Sequence, residues 1–200
     1  GINRLYNDKV LENLGLFPSL NLVYSQTDEQ NIRMSYSKTI ARPSFKELSY
    51  SEIYDPLTGR TFIGGLFKDS LSPTQVYWDG NLVSTDIHNF DLRYEIMPKK
   101  GKTFSVSAFY KKFINPIEII QYAVQDGSFQ PRNVGDGEVI GGEFEFRSDL
   151  KFISKKLKHF DLISNLTIVD SRIQLNQIEY DSRVNNAREG QVIDRYRKMA

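Results

Sequence analysis

The chain has 200 residues, 40% of them hydrophobic and 26% charged, with a formal net charge of +1 and no cysteine. That balance is ordinary for one or two folded domains. It gives no basis for electrostatic capture of nucleic acid, and it excludes disulfides, thiolate metal sites and cysteine catalysis.

In chain order, residues 1–15 read as polar and irregular, with a short helical turn expected around 9–14. A first strand is expected over residues 17–26, where Leu20, Leu22 and Tyr24 alternate with Asn21, Val23 and Ser25. The connection TDEQ, 27–30, is short enough to make the next strand its antiparallel neighbour. That second strand carries Ile32, Met34, Tyr36 and Ile40 against Arg33, Ser35, Ser37 and Thr39, and ends near Arg42 and Pro43. A long loop follows over 43–85, containing Gly59, Gly64, Gly65, Gly80, Pro56 and Pro73. Loops of such length are uncommon in compact domains and usually carry function.

The third strand, 87–97, sets Phe90, Leu92, Tyr94 and Ile96 against Asp91, Arg93 and Glu95. It turns through PKKGK, 98–102, into the fourth, 102–114, with Phe104, Val106, Ala108 and Tyr110 against Ser105 and Ser107. Residues 117–134 form a second long excursion, expected as a small hairpin turning at Asp126 and Gly127. The fifth strand, 138–149, places Phe144 and Phe146 against Glu143, Glu145 and Arg147. A short basic connection leads to the sixth, 159–171, and residues 172–200 read as polar and loop-like.

Thirteen Phe, eleven Tyr and one Trp suit such a β-protein. The two-residue period gives each strand one apolar and one polar face, which fits either a sheet over a soluble core or a bilayer wall around an aqueous lumen. Loop lengths distinguish the two. Short turns at 27–30, 98–102 and 150–158 alternate with long loops at 43–85, 115–137 and after 171, so up-and-down strands put all short turns on one edge. The expected fold class is therefore all-β: antiparallel up-and-down strands forming part of a transmembrane β-barrel, with long loops on one edge and short turns on the other. No stretch reaches the ~18 apolar residues of a membrane helix, and barrel strands do not need one. Gly1 begins in mid-pattern and Ala200 follows no closing strand, so residues 1–200 read as a fragment of one barrel domain, about six strands of it.

SYSKTIARPSFKEL (35–48), IHNFDLRYE (87–95) and FSVSAFYKKFINPIE (104–118) together resemble the β-barrel of TonB-dependent outer-membrane receptors, notably the branch found in Bacteroides-like Gram-negative bacteria. FPSLNLVYS (17–25) and the run from Gly142 to Glu145 are similar to other strands of that barrel. Where the family usually carries a proline before the third strand, this chain reads Gly80, Asn81, Leu82, Val83, Ser84. The resemblance implies a larger barrel, plugged by an N-terminal domain of the same parent chain and energised through TonB. Outer-membrane lipid is an implied partner, a surface-exposed substrate-binding lipoprotein is a further candidate, and no cofactor is implied. The apolar set Ile32, Met34, Tyr36, Phe90, Leu92, Tyr94, Phe104, Val106, Tyr110, Phe144 and Phe146 would face lipid. Asp91, Arg93, Glu95, Lys111, Glu143, Glu145 and Arg147, with Ser105 and Ser107, would line the lumen or meet the plug.

Loops on a rigid scaffold are where binding residues concentrate. The first long loop therefore supplies the ligand candidates: Tyr54, Asp55, Arg60, Lys68, Asp69, Tyr77, Trp78 and Asp79 mix aromatic faces with charges. The competing reading is that Tyr77 and Trp78 pack the loop on itself or belong to an interfacial aromatic belt. Enzyme motifs are weak. Gly135, Gly137, Gly141 and Gly142 lack the last glycine of a phosphate loop and a following helix pattern. His88 and His159 stand singly, and Glu143 with Glu145 share a strand face. Lys99, Lys100, Lys102, Lys155, Lys156 and Lys158 gather at the short-turn edge, as solvated turns or beside anionic head groups. The expectation is an import receptor for a bulky nutrient such as a ferric chelate, oligosaccharide or peptide. The alternative is a soluble β-domain binding carbohydrate or protein through its loops, which needs a second layer over the apolar face.

Overall fold

The computed structural model describes residues 14–98, 102–121, 125, 127–185 and 187–199. Its elements in order are β1 (Ser19–Thr27), β2 (Gln30–Ala41), β3 (Glu52–Asp55), β4 (Arg60–Ile63), β5 (Asp69–Ser72), β6 (Gln75–Trp78), β7 (Thr85–Ile96) and β8 (Thr103–Ile114). They continue with β9 (Ile117–Gln121), β10 (Ser128–Asn133), β11 (Gly137–Asp149), β12 (Asp161–Gln174), the helix α1 (Gln177–Asn185) and β13 (Tyr196–Arg197). The six long strands form one antiparallel sheet in the order β1-β2-β7-β8-β11-β12, and β13 adds to its far edge. The sheet is open, with β1 at one edge.

Register turns the alternation into continuous rows. Leu22, Met34, Leu92, Ala108, Gly142 and Ile168 lie side by side across six strands, and Tyr24, Ile32, Tyr94, Val106, Phe144 and Leu166 form the next row toward the short turns. Ile96, Phe104 and Phe146 follow, and at the other end come Leu20, Tyr36, Phe90, Tyr110 and Ile140. All eleven residues expected on the lipid side thus share one face. No other layer covers it among the described residues: Leu92 is 50% exposed, Met34 54% and Val106 45%. The buried apolar residues Ile63, Leu66, Leu82, Val134, Ile173 and Leu175 belong to the long loops or to the loop end of β12. The soluble alternative required the reverse, a core beneath the sheet.

On the opposite face run Val23, Arg33, Arg93, Ser107, Glu143 and Thr167, with Ser25, Asn31, Glu95, Ser105, Glu145 and Asn165 beside them. Phe109 is a large aromatic residue on this polar face, next to Gly141 in register. A Cβ at Gly141 would lie 2.4 Å from the Phe109 ring and 2.7 Å from the Ile168 carbonyl oxygen, so the glycine makes the room the ring occupies. Gly141→Ala is expected to destabilise the folded wall by about 1–3 kcal/mol, read by denaturant unfolding in lipid vesicles.

Several expectations need correction. The long loop over 43–85 is not structureless: β3 pairs with β4 and β5 with β6. The segment after 171 is not merely loop-like, since β12 runs on to Gln174 and is followed by α1 and β13. His159 precedes β12 in a turn, and the basic connection holds two short 3-10 turns, Leu150–Phe152 and Lys155–Leu157. The hairpin expected over 117–134 forms as β9 and β10, with Gly127 at φ +75°. Its other turn residue, Asp126, lies outside the described residues, as do Lys99, Lys100 and all but Leu14 of the helical turn expected at 9–14.

Candidate functional site

The polar face of the wall is held by a chain of charges. Arg33 Nε donates to Glu95 Oε1 at 2.7 Å, Arg93 Nε to Glu95 Oε2 at 3.1 Å, and Arg93 Nη2 to Glu145 Oε2 at 2.9 Å. Asn31 and Ser105 add hydrogen bonds to Glu95 and Glu145, and Ser35 donates to Asp91. Two guanidiniums and two carboxylates thereby satisfy one another across β2, β7 and β11. Lys111, Glu143 and Arg147 share this face and have no ion-pair partner among the described residues.

On the apolar face the loop end is aromatic. Tyr36 packs against Phe90 in a tilted pair at 4.8 Å between ring centroids, and Phe90 against Tyr110 in another at 6.2 Å. Tyr36 Oη lies 3.0 Å from His88 Nδ1, and Tyr110 Oη donates to Glu138 at 3.0 Å. His88 and Glu138 belong to the next row, with Lys38, Lys112 and Arg172. Rings on an apolar surface with hydroxyls reaching a charged row are the arrangement aromatic residues take at a membrane interface.

The first two long loops are one structural unit. β10 pairs with β9 on one side and, in parallel, with β4 on the other, giving a sheet in the order β3-β4-β10-β9. Beneath it Arg132 bonds Asp69, which is 0% exposed. Arg132 Nε also donates to Gln130 Oε1 at 2.9 Å, and Gln130 Nε2 donates to the carbonyls of Gly64 and Phe67 at 2.9 and 2.8 Å. Asn133 closes the base by accepting from Val83 N–H at 2.8 Å and donating to the carbonyls of Val83 and Asn115. The proline-free run from Gly80 to Ser84 is anchored there, with Gly80 at φ +87° and Leu82 buried.

Between this unit and the third long loop lies a cleft of about 890 Å³. One wall is β9 with Pro116; the other is Asn176, Glu179 and Arg183. Arg197 bridges the two by bonding Glu118 on β9 and Glu179 of α1, the latter at 3.4 Å. Burial opposes the charge of Arg197, but the hydrogen bond to Glu118 and the two carboxylates outweigh it and raise its pKa above the ordinary value.

Of the eight loop residues expected to meet ligand, only Tyr77 lines this cleft. Asp69 is corrected outright, because it is sealed in the loop interior by Arg132. Trp78 packs the loop on itself, its indole N–H donating to the Gly65 carbonyl at 2.7 Å. Asp79 accepts from Asn81 N–H at 2.9 Å in a local turn. Tyr54 and Arg60 stand on the β3–β4 hairpin, where Arg60 lies 5.3 Å over the Phe129 ring, and Lys68 is exposed just before β5. Asp55 accepts from the Thr58 hydroxyl at 2.6 Å and from Leu57 N–H at 3.0 Å, which lowers its pKa below 3.8. Because the folded pKa is the lower one, that bonding is complete above about pH 4 and is lost as pH falls through the depressed value. Asp55→Ala is expected to fray turn 56–59 at neutral pH, seen as faster amide exchange at Leu57 and Thr58, with the cleft unchanged.

Sequence reasoning missed Glu118, Arg132, Asn176, Glu179, Arg183 and Arg197. One signal was available: Asn176 followed three residues later by Glu179 is a helix-start pattern, and Asn176 Oδ1 does accept from Glu179 N–H at 2.7 Å. Arg183 then pairs with Glu179 one turn on, at 2.9 Å.

The model of the family described as TonB dependent receptor-like, beta-barrel, matches residues 4–195. No curated protein matches the chain significantly. Among solved structures, the siderophore receptor PirA from Pseudomonas aeruginosa superposes with a TM-score of 0.55 at 15% identity, over 84% of this chain and 32% of that one. The ferric enterobactin receptor PfeA from Pseudomonas aeruginosa, in complex with enterobactin, gives 0.49 at 18% identity, over 80% and 22%. The chain thus spans about a third of the length of the first of these receptors. With the family match running over nearly all of an antiparallel sheet of up-and-down strands, the chain belongs to the TonB-dependent receptor-like β-barrel family.

Proposed function

We propose that the chain is part of the wall of one outer-membrane barrel domain and serves active import of a bulky nutrient, a ferric chelate, oligosaccharide or peptide, energised through TonB in a Gram-negative cell. The observation that carries this reading is the uncovered apolar face, ending in the Tyr36–Phe90–Tyr110 row on the long-loop side. β2, β7, β8, β11 and β12 run 12–14 residues each, enough for a tilted strand to cross a bilayer.

On this reading the apolar rows meet outer-membrane lipid and the charged face meets the lumen. The Arg33–Glu95–Arg93–Glu145 chain stiffens the wall, while Lys111, Glu143 and Arg147 remain available to the N-terminal plug of the parent chain. The long loops, joined as one unit, capture ligand at the cell surface, where a substrate-binding lipoprotein would also engage them. The test is growth of cells carrying the parent receptor on candidate nutrients, with and without TonB. Receptor-dependent growth that disappears with TonB is expected; receptor-dependent growth that persists without it contradicts the reading.

A further inference from the structure

β9 ends the loop sheet: it pairs with β10 and with no other strand among the described residues. The hydrogen-bonding pattern says which of its backbone groups face outward. Val134 N–H donates to the Pro116 carbonyl at 2.9 Å, so these two residues form a hydrogen-bonded pair. Antiparallel alternation then makes Glu118 with Arg132, and Ile120 with Gln130, the bonded pairs. The N–H and C=O groups of Ile117, Ile119 and Gln121 therefore point away from β10. Pro131 agrees with this: it stands opposite Ile119 in a non-bonded pair, where its missing N–H costs the ladder nothing.

The cleft of about 890 Å³ is lined by every residue from Pro116 to Gln121. Successive strand residues point to opposite faces, so a cleft touching all of them runs along the strand's free edge. It is a slot, bounded on one side by a row of backbone donors and acceptors that have no partner among the described residues and by α1 on the other, with Arg197 bridging the two.

We propose that this slot binds an extended peptide, which adds to β9 as a further strand. The proposal rests on the reading of the long loops as a cell-surface capture unit and narrows its ligand to one class. Main-chain hydrogen bonds supply affinity with little dependence on peptide sequence, as in other strand-addition sites. Apolar contact comes from Ile117 and Ile119. The slot suits the other nutrients less well. Among the described residues Tyr77 is the one aromatic that lines it, little for stacking a sugar chain, and its guanidiniums already hold carboxylates: Arg132 with Asp69, Arg183 with Glu179, Arg197 with Glu118.

The test uses the full-length receptor in detergent and fluorescein-labelled pentaalanine, followed by fluorescence anisotropy. A second peptide, N-methylated at every internal amide, has the same side chains without the donors. Saturable binding is expected for the first, and binding at least about tenfold weaker for the second. Ile119→Pro removes one outward N–H and leaves the β9–β10 ladder intact, so it too is expected to weaken pentaalanine by about tenfold. Equal binding of the two peptides, unchanged affinity in Ile119→Pro, or no saturable binding at millimolar pentaalanine would overturn the proposal. A receptor that fails here yet still supports TonB-dependent growth loses the peptide assignment and keeps its transport role.

Discussion

Asp69→Ala is expected to loosen both of the first two long loops together, by about 3–5 kcal/mol, although Asp69 lies in only one of them. The carboxylate is 0% exposed and bonded to Arg132, so its removal takes a charge-bearing hydrogen-bond acceptor away from a buried guanidinium. That penalty is felt on β10, whose Gln130 and Arg132 hold the loop over residues 64–69 by side-chain hydrogen bonds. Native-state hydrogen exchange on the full receptor is the suitable measurement, because loops open far below the global unfolding free energy. Faster exchange is expected in β4 and β10 alike, with β7 and β8 unchanged. Replacing both partners by apolar residues, Asp69→Leu with Arg132→Met, is expected to restore much of the protection, since a buried ion pair contributes little beyond the cost of breaking it. Exchange that rises in the first loop alone would show that the pair does not couple the two.

Leu92→Arg is expected to cost about 2–4 kcal/mol in the membrane-embedded barrel, because it places a charge in the middle row of the apolar face. Ser107→Arg, in the adjacent row on the opposite face, is expected to cost less, as lumen substitutions do. Reversible unfolding of the full receptor in lipid vesicles gives both values. Equal costs at the two positions would mean that both faces see the same surroundings.

The difference between wall and loops explains what the sequence made legible. A strand with one apolar face writes its own parity, so Phe90, Leu92 and Tyr94 against Asp91, Arg93 and Glu95 are sufficient to assign faces before any partner is known. Short turns then fix neighbours, and the order β1-β2 and β7-β8 follows from connection length alone. The loops follow no such local rule. β10 meets β4 in parallel across 66 intervening positions, at Ser128 and Thr61, and nothing near either segment announces the other. Asp69 looks in sequence like any exposed loop acid, and only its distant partner Arg132 makes it an interior residue. Trp78 leaves two readings open for a related reason, ligand contact or packing of the loop on itself: an indole beside a charge suits a ligand, and it suits a backbone carbonyl such as that of Gly65 equally well. The segment after β12 is the reverse case, since the Asn176 and Glu179 spacing is a local helix signal.

The central claim is that one face of the sheet meets lipid and the other water. The absence of cysteine makes it directly testable. Single cysteines placed at Leu92, Arg93, Val106 and Ser107 in the full receptor, with any cysteines elsewhere removed, would be labelled in outer membranes with lipid-soluble and water-soluble thiol reagents. Labelling from lipid at 92 and 106 and from water at 93 and 107 is the predicted result; protection of 92 and 106 from both reagents would mean a covered protein core and would contradict the account.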